Sequence, residues 1–395
     1  MKAIINTRIL TEYGIIRDGA VIFNEKGIEY AGPAAKAQIP ADAEIIDAKG
    51  RYAAPGLIDI HCHGAWDMRF PKDPLHCAKY HLQHGVTTIL PTFAYTDTME
   101  DMEGGAEKIR RQRSLPGGQT MKYGIYMEGP YMNGEGGGIS KYTWGGPIRK
   151  EVSGRLLAAV KDLVLVWAVD PDRDGIEEFI MDAREATPGV IFAYGHSHAT
   201  SETCRAFRHY GFKVQTHHGD SGLAPGRAQG TPGAGCDEYT MNEPDMYAEL
   251  IVDQTGIHVV PDLVKLVIKT KTPDRVILIT DSTLREEGKN AADKGIWYGP
   301  DLNYDDIGFL DGSCMTLEHA CANVMTHTAY GLCHAIMMAT ITPARMLGID
   351  GEVGSLEKGK RANIILIDDD VNVSAVWLDG VQCQKDGELI GEFRQ

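Results

Sequence analysis

The 395-residue chain lacks the features that would tie it to a membrane, to nucleic acid or to an oxidising compartment. No apolar run approaches the roughly 20 residues that span a bilayer, and the opening Met1-Lys2-Ala3-Ile4-Ile5-Asn6 has no long secretory core. Basic residues are outnumbered, 39 Lys and Arg against 55 Asp and Glu, and a formal charge of −16 argues against a nucleic-acid footprint. A small substrate escapes that argument, because a local basic pocket is compatible with an acidic chain. The eight cysteines are scattered without a Cys-x-x-Cys pair, as in reducing compartments, where cysteine serves as a small buried side chain. Internal repeats and low-complexity stretches are absent as well. What is present is 43% hydrophobic content, enough to bury a large core and to leave room for a second, smaller domain. The expectation is a cytoplasmic enzyme.

Within residues 54–352, eight segments read as strands: 57–61, 86–91, 122–127, 163–168, 190–194, 212–216, 249–253 and 276–281. Most are continuous apolar runs, as parallel strands covered on both faces require, and helix-length segments separate them. Eight such units predict a (β/α)8 TIM-like barrel of the α/β class. The two ends differ from this pattern. Residues 1–53 read as short strands and tight turns, with Asp18-Gly19 and Lys26-Gly27 as turn signals, and residues 353–395 repeat the style around Ile364-Ile365-Leu366-Ile367 and Asp379-Gly380. Neither end has enough strands to be stable alone, so the two are expected to pair into one small β-sandwich domain. Segment 222–245, rich in Gly, Pro and polar residues, reads as a long loop over the carboxyl face of the barrel.

Chemistry concentrates at the carboxyl ends of the predicted strands. The run Ala54-Pro55-Gly56-Leu57-Ile58-Asp59-Ile60 leads into His61-Cys62-His63-Gly64, and strand alternation projects both imidazoles from one face. Alone, a His-x-His near a turn is commonly a pair of ordinary polar residues. Here the run 123–127 leads into Glu128, 189–195 into His196, 212–216 into His217 and 275–280 into Asp281. Five separated apolar segments thus deliver a histidine or carboxylate at the end where barrel enzymes keep their sites. Imidazole and carboxylate suit zinc, iron or a similar divalent ion. His198 and His218 lie beside two of these residues but are turned away by alternation, and Cys62 is expected to pack behind the His-x-His pair.

Taken together, these segments resemble the amidohydrolase superfamily and, within it, the N-acetylglucosamine-6-phosphate deacetylase family. The resemblance runs nearly end to end, through the His61-Cys62-His63-Gly64 strand, His84-Gly85-Val86-Thr87-Thr88, Met127-Glu128-Gly129-Pro130, Gly195-His196-Ser197, Thr216-His217, Gly256-Ile257-His258-Val259, Thr280-Asp281 and Gly354-Ser355-Leu356-Glu357-Lys358-Gly359-Lys360. The Glu-Gly-Pro after the third strand narrows the choice. Many relatives hold two metals with a carboxylated lysine after the fourth strand, and Leu163 to Val169 contains no lysine.

The resemblance implies a metal-dependent hydrolase that removes the acetyl group of N-acetylglucosamine 6-phosphate. It implies Glu128, His196 and His217 as ligands of the principal metal, with His61 and His63 able to bind a second ion. Some relatives lack that pair and work with one metal, so one or two ions per subunit, zinc or iron, are expected. Asp281 is implied as the acid/base group, and His258, Arg227, Ile139, Asp220 and Ser221 as substrate-binding positions. A homodimer is implied too, with Arg227 matching an arginine that family members lend to a neighbouring subunit's phosphate site.

Three departures concern the substrate. Asp220 stands where the family has asparagine, Gly137-Gly138-Ile139-Ser140 replaces a Lys-Gly-Ala/Thr-His segment, and the residues after Arg227 diverge. Either backbone N–H groups near Asp220 and Ser221 and a cation such as Arg227 hold the phosphate, or the substrate is an unphosphorylated amino sugar or an N-acyl amino acid. A non-catalytic scaffold on the same barrel is a further reading, and retention of every ligand candidate and of Asp281 speaks against it.

Overall fold

Eight parallel strands stand side by side in chain order in the computed structural model, which describes residues 1–133, 144–220, 230–285, 299–305 and 308–394. They are Leu57–Cys62, Val86–Ala94, Ile125–Glu128, Val164–Val169, Ile191–Tyr194, Phe212–Gln215, Tyr247–Ile251 and Val276–Ile279. Each pairs with the next, and nearly all of their residues are buried, which is why the sequence offers apolar runs there in place of alternation. Hydrogen bonds also join the end of the last strand to the first. The Asp281 N–H donates to the His61 carbonyl at 3.0 Å, and the Thr280 hydroxyl donates to Asp59 Oδ2 at 2.6 Å. Burial pushes the Asp59 carboxyl up to about 7 against the hydrogen bonds it accepts.

Helices cover the outside. Ile176–Ala186 buries Ile176, Phe179, Ile180 and Ala183, one face of a helical period. Met99–Gln112 starts at Thr98, whose hydroxyl accepts the Asp101 N–H at 3.1 Å, and carries acidic residues in its first turn and Arg110 and Arg111 in its last. Part of the predicted loop 222–245 is also helical, a correction to the sequence reading. Cys236–Asn242 is a helix whose start is fixed by the Gly235 N–H donating to Glu238 Oε2 at 2.8 Å. Its seven residues are too few to show a period beside so many glycines and prolines.

Both termini enter one nine-stranded sheet. Tyr52–Pro55 runs parallel to Lys2–Thr11 and antiparallel to Ile364–Ile367, so it joins the N-terminal strands to the C-terminal ones. Ile4, Val21 and Phe23 from one end share a core with Ile364, Leu366 and Trp377 from the other. Asp18-Gly19 is not a turn but lies inside Gly14–Asn24, where Gly19 pairs with Thr7 between two register shifts; the chain reverses at Glu12-Tyr13. Between sheet and barrel stands Gly56. A Cβ there would lie 2.2 Å from Thr87 Oγ1, so only glycine lets the strand pass.

Candidate active site

Four imidazoles close on one buried carboxylate at the carboxyl end of the barrel. Glu128, the last residue of the third strand, has its Oε1 at 2.9 Å from His217 Nε2, 3.2 Å from His196 Nε2 and 3.8 Å from His61 Nε2, while its Oε2 lies 3.2 Å from His63 Nε2. Asp281 completes the group, with Oδ1 at 3.1 Å from His63 Nε2 and 3.5 Å from His61 Nε2. The five segments that the sequence singled out therefore deliver six side chains to one point.

Local backbone explains how they get there. His61 and His63 share one face of an extended strand, and Tyr126 and Glu128 share a face of its neighbour but one, with the Tyr126 ring 4.5 Å from that of His61. His196, His217 and Asp281 each stand two residues past the end of a strand and hold left-handed φ values of 42°, 24° and 49°. A left-handed conformation costs an L-residue about 1–2 kcal/mol, and such costs collect at functional sites.

The electrostatics favour positive charge at this point. Burial would raise the Glu128 carboxyl, but hydrogen bonds from His196, His217 and His63 hold it well below the usual carboxylate range. Burial would lower His63 and His217, yet contact with Glu128 and Asp281 carries His63 up to about 10, and Glu128 carries His217 up to about 9. Asp281 is lowered despite its burial, chiefly by the hydrogen bond from His63. Several buried atoms of the group lack a hydrogen-bond partner among the described residues, and two of them, His61 Nε2 and Asp281 Oδ1, face each other 3.5 Å apart. His61, His63 and Asp281 can bring three donor atoms within 4.8 Å of one another, and so can His61, Glu128 and His217. Nitrogen and oxygen donors in that number, with buried atoms lacking protein partners, fit a divalent ion.

His258 stands beside this group. Its Nδ1 lies 3.3 Å from Asp253 Oδ2 and its Nε2 3.2 Å from the Gly312 carbonyl. Asp253 also accepts the N–H groups of Ile257 and His258 at 2.9 Å, which shapes the loop that carries the imidazole. Asp220 is exposed and has Oδ2 at 4.0 Å from His217 Nδ1, the ring nitrogen that does not face Glu128; its N–H donates to the His217 carbonyl at 3.1 Å and is already engaged. His218 is turned outward to Asp237, 3.7 Å away, in the first turn of the Cys236–Asn242 helix. Ile139, Ser221 and Arg227 lie outside the described residues.

Sequence reasoning missed Glu249 and Asp253. Glu249 is fully buried within the seventh strand, and its Oε2 lies 3.1 Å from His61 Nδ1. A carboxylate inside the apolar run Ala248-Glu249-Leu250-Ile251 was the available signal.

The chain is similar over nearly its whole length to known proteins. The chain is 28% identical over 393 residues to N-acetylglucosamine-6-phosphate deacetylase of Haemophilus influenzae, covering 96% of this chain and 98% of that one. It is also 28% identical over 385 residues to N-acetylgalactosamine-6-phosphate deacetylase of Escherichia coli O157:H7, covering 94% and 97%. The solved N-acetylglucosamine-6-phosphate deacetylase of Pasteurella multocida has the same fold, with a TM-score of 0.82 at 24% identity over 96% of this chain and 99% of that one. Among the described residues no helix is long and apolar enough to cross a membrane. The Amidohydrolase family model matches residues 52–383, from the last N-terminal sheet strand through the whole barrel, and the chain belongs to the amidohydrolase family.

Proposed function

We propose that the protein hydrolyses the acetamide of an N-acetyl amino sugar 6-phosphate, with N-acetylglucosamine 6-phosphate giving glucosamine 6-phosphate and acetate. The observation that carries this reading is the Glu128 carboxylate ringed by His61, His63, His196 and His217, with Asp281 beside it, in a chain similar over its length to deacetylases of such sugars. In this reading Glu128, His196 and His217 hold the principal zinc or iron ion, and His61 and His63 take part in a second. A divalent ion there supplies polarisation of the amide carbonyl and a lowered pKa for attacking water.

The remaining steps belong to side chains. Asp281, kept ionised by His63, accepts the proton of the attacking water. The same carboxylate then returns a proton to the sugar nitrogen, because an amine must be protonated to leave the tetrahedral intermediate. His258, fixed by Asp253 and the Gly312 carbonyl, holds the substrate near the reacting carbonyl. Arg227 of a homodimer's other subunit completes the phosphate site.

Asp220 favours a second reading, the unphosphorylated sugar. A phosphate placed ~4 Å from its carboxylate is repelled by about 4 kcal/mol at an effective dielectric of 20, roughly a thousandfold in binding. Acetate release from N-acetylglucosamine 6-phosphate, its galactosamine epimer and free N-acetylglucosamine decides between the readings. The 6-phosphates are expected to have the higher kcat/KM. A wild type that prefers the free sugar overturns the phosphate assignment, and an unchanged preference in Asp220→Asn removes the electrostatic argument.

A further inference from the structure

The seventh barrel strand contributes a carboxylate that the reaction described above does not use. Glu249 lies on the inner face of Tyr247–Ile251 and is fully buried, a place where an acid is kept only when it is paired. Its Oε2 is 3.1 Å from His61 Nδ1 and 3.4 Å from the backbone N of His217, while its Oε1 makes no hydrogen bond among the described residues. The Glu249 carbonyl accepts the N–H of His218 at 2.7 Å, so the same residue braces the backbone on both sides of the His217 turn. One carboxylate thus touches the segments that bring His61 from the first strand and His217 from the sixth.

Chemistry assigns the direction of the His61 bond. A carboxylate accepts and cannot donate, so the proton between the two groups sits on His61 Nδ1, and in the neutral ring that a metal ligand must be, the lone pair is then on Nε2. That nitrogen points at Glu128 and Asp281, 3.8 Å and 3.5 Å away, and has no hydrogen-bond partner of its own. A neutral imidazole that donates from one ring nitrogen to a buried carboxylate and ligates with the other is better oriented and more basic than an unsupported one.

We propose that Glu249 is a positioning residue that fixes the Nδ1–H tautomer and ring orientation of His61 so that His61 Nε2 serves as a metal ligand, an inference that rests on the metal-dependent reading above. It also gives the His-x-His motif a partner 188 residues away in sequence.

The test measures zinc retention against a competing chelator in zinc-loaded wild type, Glu249→Leu, Glu249→Gln and His61→Ala, and in the His61→Ala, Glu249→Leu double variant. Circular dichroism of each metal-free protein reports the fold. Loss of a hydrogen-bonding partner behind a ligand weakens metal binding about 10–100-fold, and that is the expected loss in Glu249→Leu. Glu249→Gln keeps an acceptor and is expected to retain most of the affinity. In the His61→Ala background Glu249→Leu is expected to add nothing, because there is no imidazole left to position. Equal zinc retention in wild type and Glu249→Leu overturns the proposal, as does an equal further loss in the His61→Ala background, which assigns the effect to packing around His217. A wild type that holds zinc and releases acetate while Glu249→Leu holds it as tightly sinks the positioning role alone. A wild type that binds no divalent ion sinks the metal-dependent reading with it.

Discussion

His61 and His63 reach the buried cluster from an extended strand, where alternation alone puts both rings on one side, whereas His196, His217 and Asp281 reach it through left-handed φ values of 42°, 24° and 49°. The first pair costs the backbone nothing. Each of the others costs about 1–2 kcal/mol, a strain that glycine at the same position would largely relieve. A fold that keeps histidine and aspartate in such places keeps them for what the side chains do. The strained side also holds the shortest imidazole contact to Glu128, that of His217 at 2.9 Å, and the proposed acid/base group, while His196 and His63 are equal at 3.2 Å. In the proposed reading the principal ion sits on the strained side, so variants on the two sides should differ.

The largest difference is expected for metal content. Glu128→Ala removes the carboxylate that all four imidazoles approach, so the protein is expected to lose its ions and its acetate release together. His61→Ala is expected to keep the principal ion and lose less activity. Elemental analysis of the two variants checks this, and a His61→Ala protein as empty as Glu128→Ala would erase the division. Next comes Asp281→Asn, which is expected to fold and keep its metal while losing roughly two to four orders of magnitude in turnover, the scale of a missing acid/base group. Single-turnover acetate release near neutral pH measures it; near-normal turnover would require another base.

Much of the cluster was legible in the sequence, and the illegible parts have physical causes. A histidine or carboxylate closing each of five apolar runs is a local pattern, so Glu128, His196, His217, Asp281 and the His-x-His pair could be read from spacing. The barrel followed because strands covered on both faces must be apolar throughout. Glu249 sits inside such a run and acts across the barrel on a residue far away in sequence, which no local window reports. Asp59 is similar: it looks like one polar residue in an apolar strand, and only the closed barrel shows it receiving the Thr280 hydroxyl. The left-handed turns were hidden because the residues in them are histidines and an aspartate, not glycines.

Acidity offers a smaller, graded test of the cluster as a metal centre. Without an ion His63 and His217, raised to about 10 and about 9 by their carboxylate neighbours, carry protons at neutral pH. A cation must displace those protons, so affinity falls as pH falls, by about tenfold per unit for each proton displaced. Zinc competition assays between about pH 6.5 and 8.5 check the slope. A flat profile would mean that neither imidazole is a ligand.

The smallest expected effect bears most directly on the difference between the two sides. At His196, with φ at 42°, replacement by glycine and by alanine removes the same imidazole but leaves different backbones. Alanine must hold a conformation that crowds its Cβ, and glycine need not. Metal-free His196→Gly is therefore expected to be more stable than metal-free His196→Ala, by about 1 kcal/mol once the greater freedom of glycine in the unfolded chain offsets part of the relief. At His61 the order reverses. The residue lies within the extended strand Leu57–Cys62, where glycine relieves no strain and carries only its entropic cost, so His61→Gly is expected to be less stable than His61→Ala by about 0.5–1 kcal/mol. Denaturant unfolding of the four metal-free variants gives both differences, and the ion is left out because its binding would add to the stability of whichever variant retains it. If glycine is the worse substitution at both positions, His196 is not held under strain, and the contrast between the two sides reduces to which side chains touch Glu128.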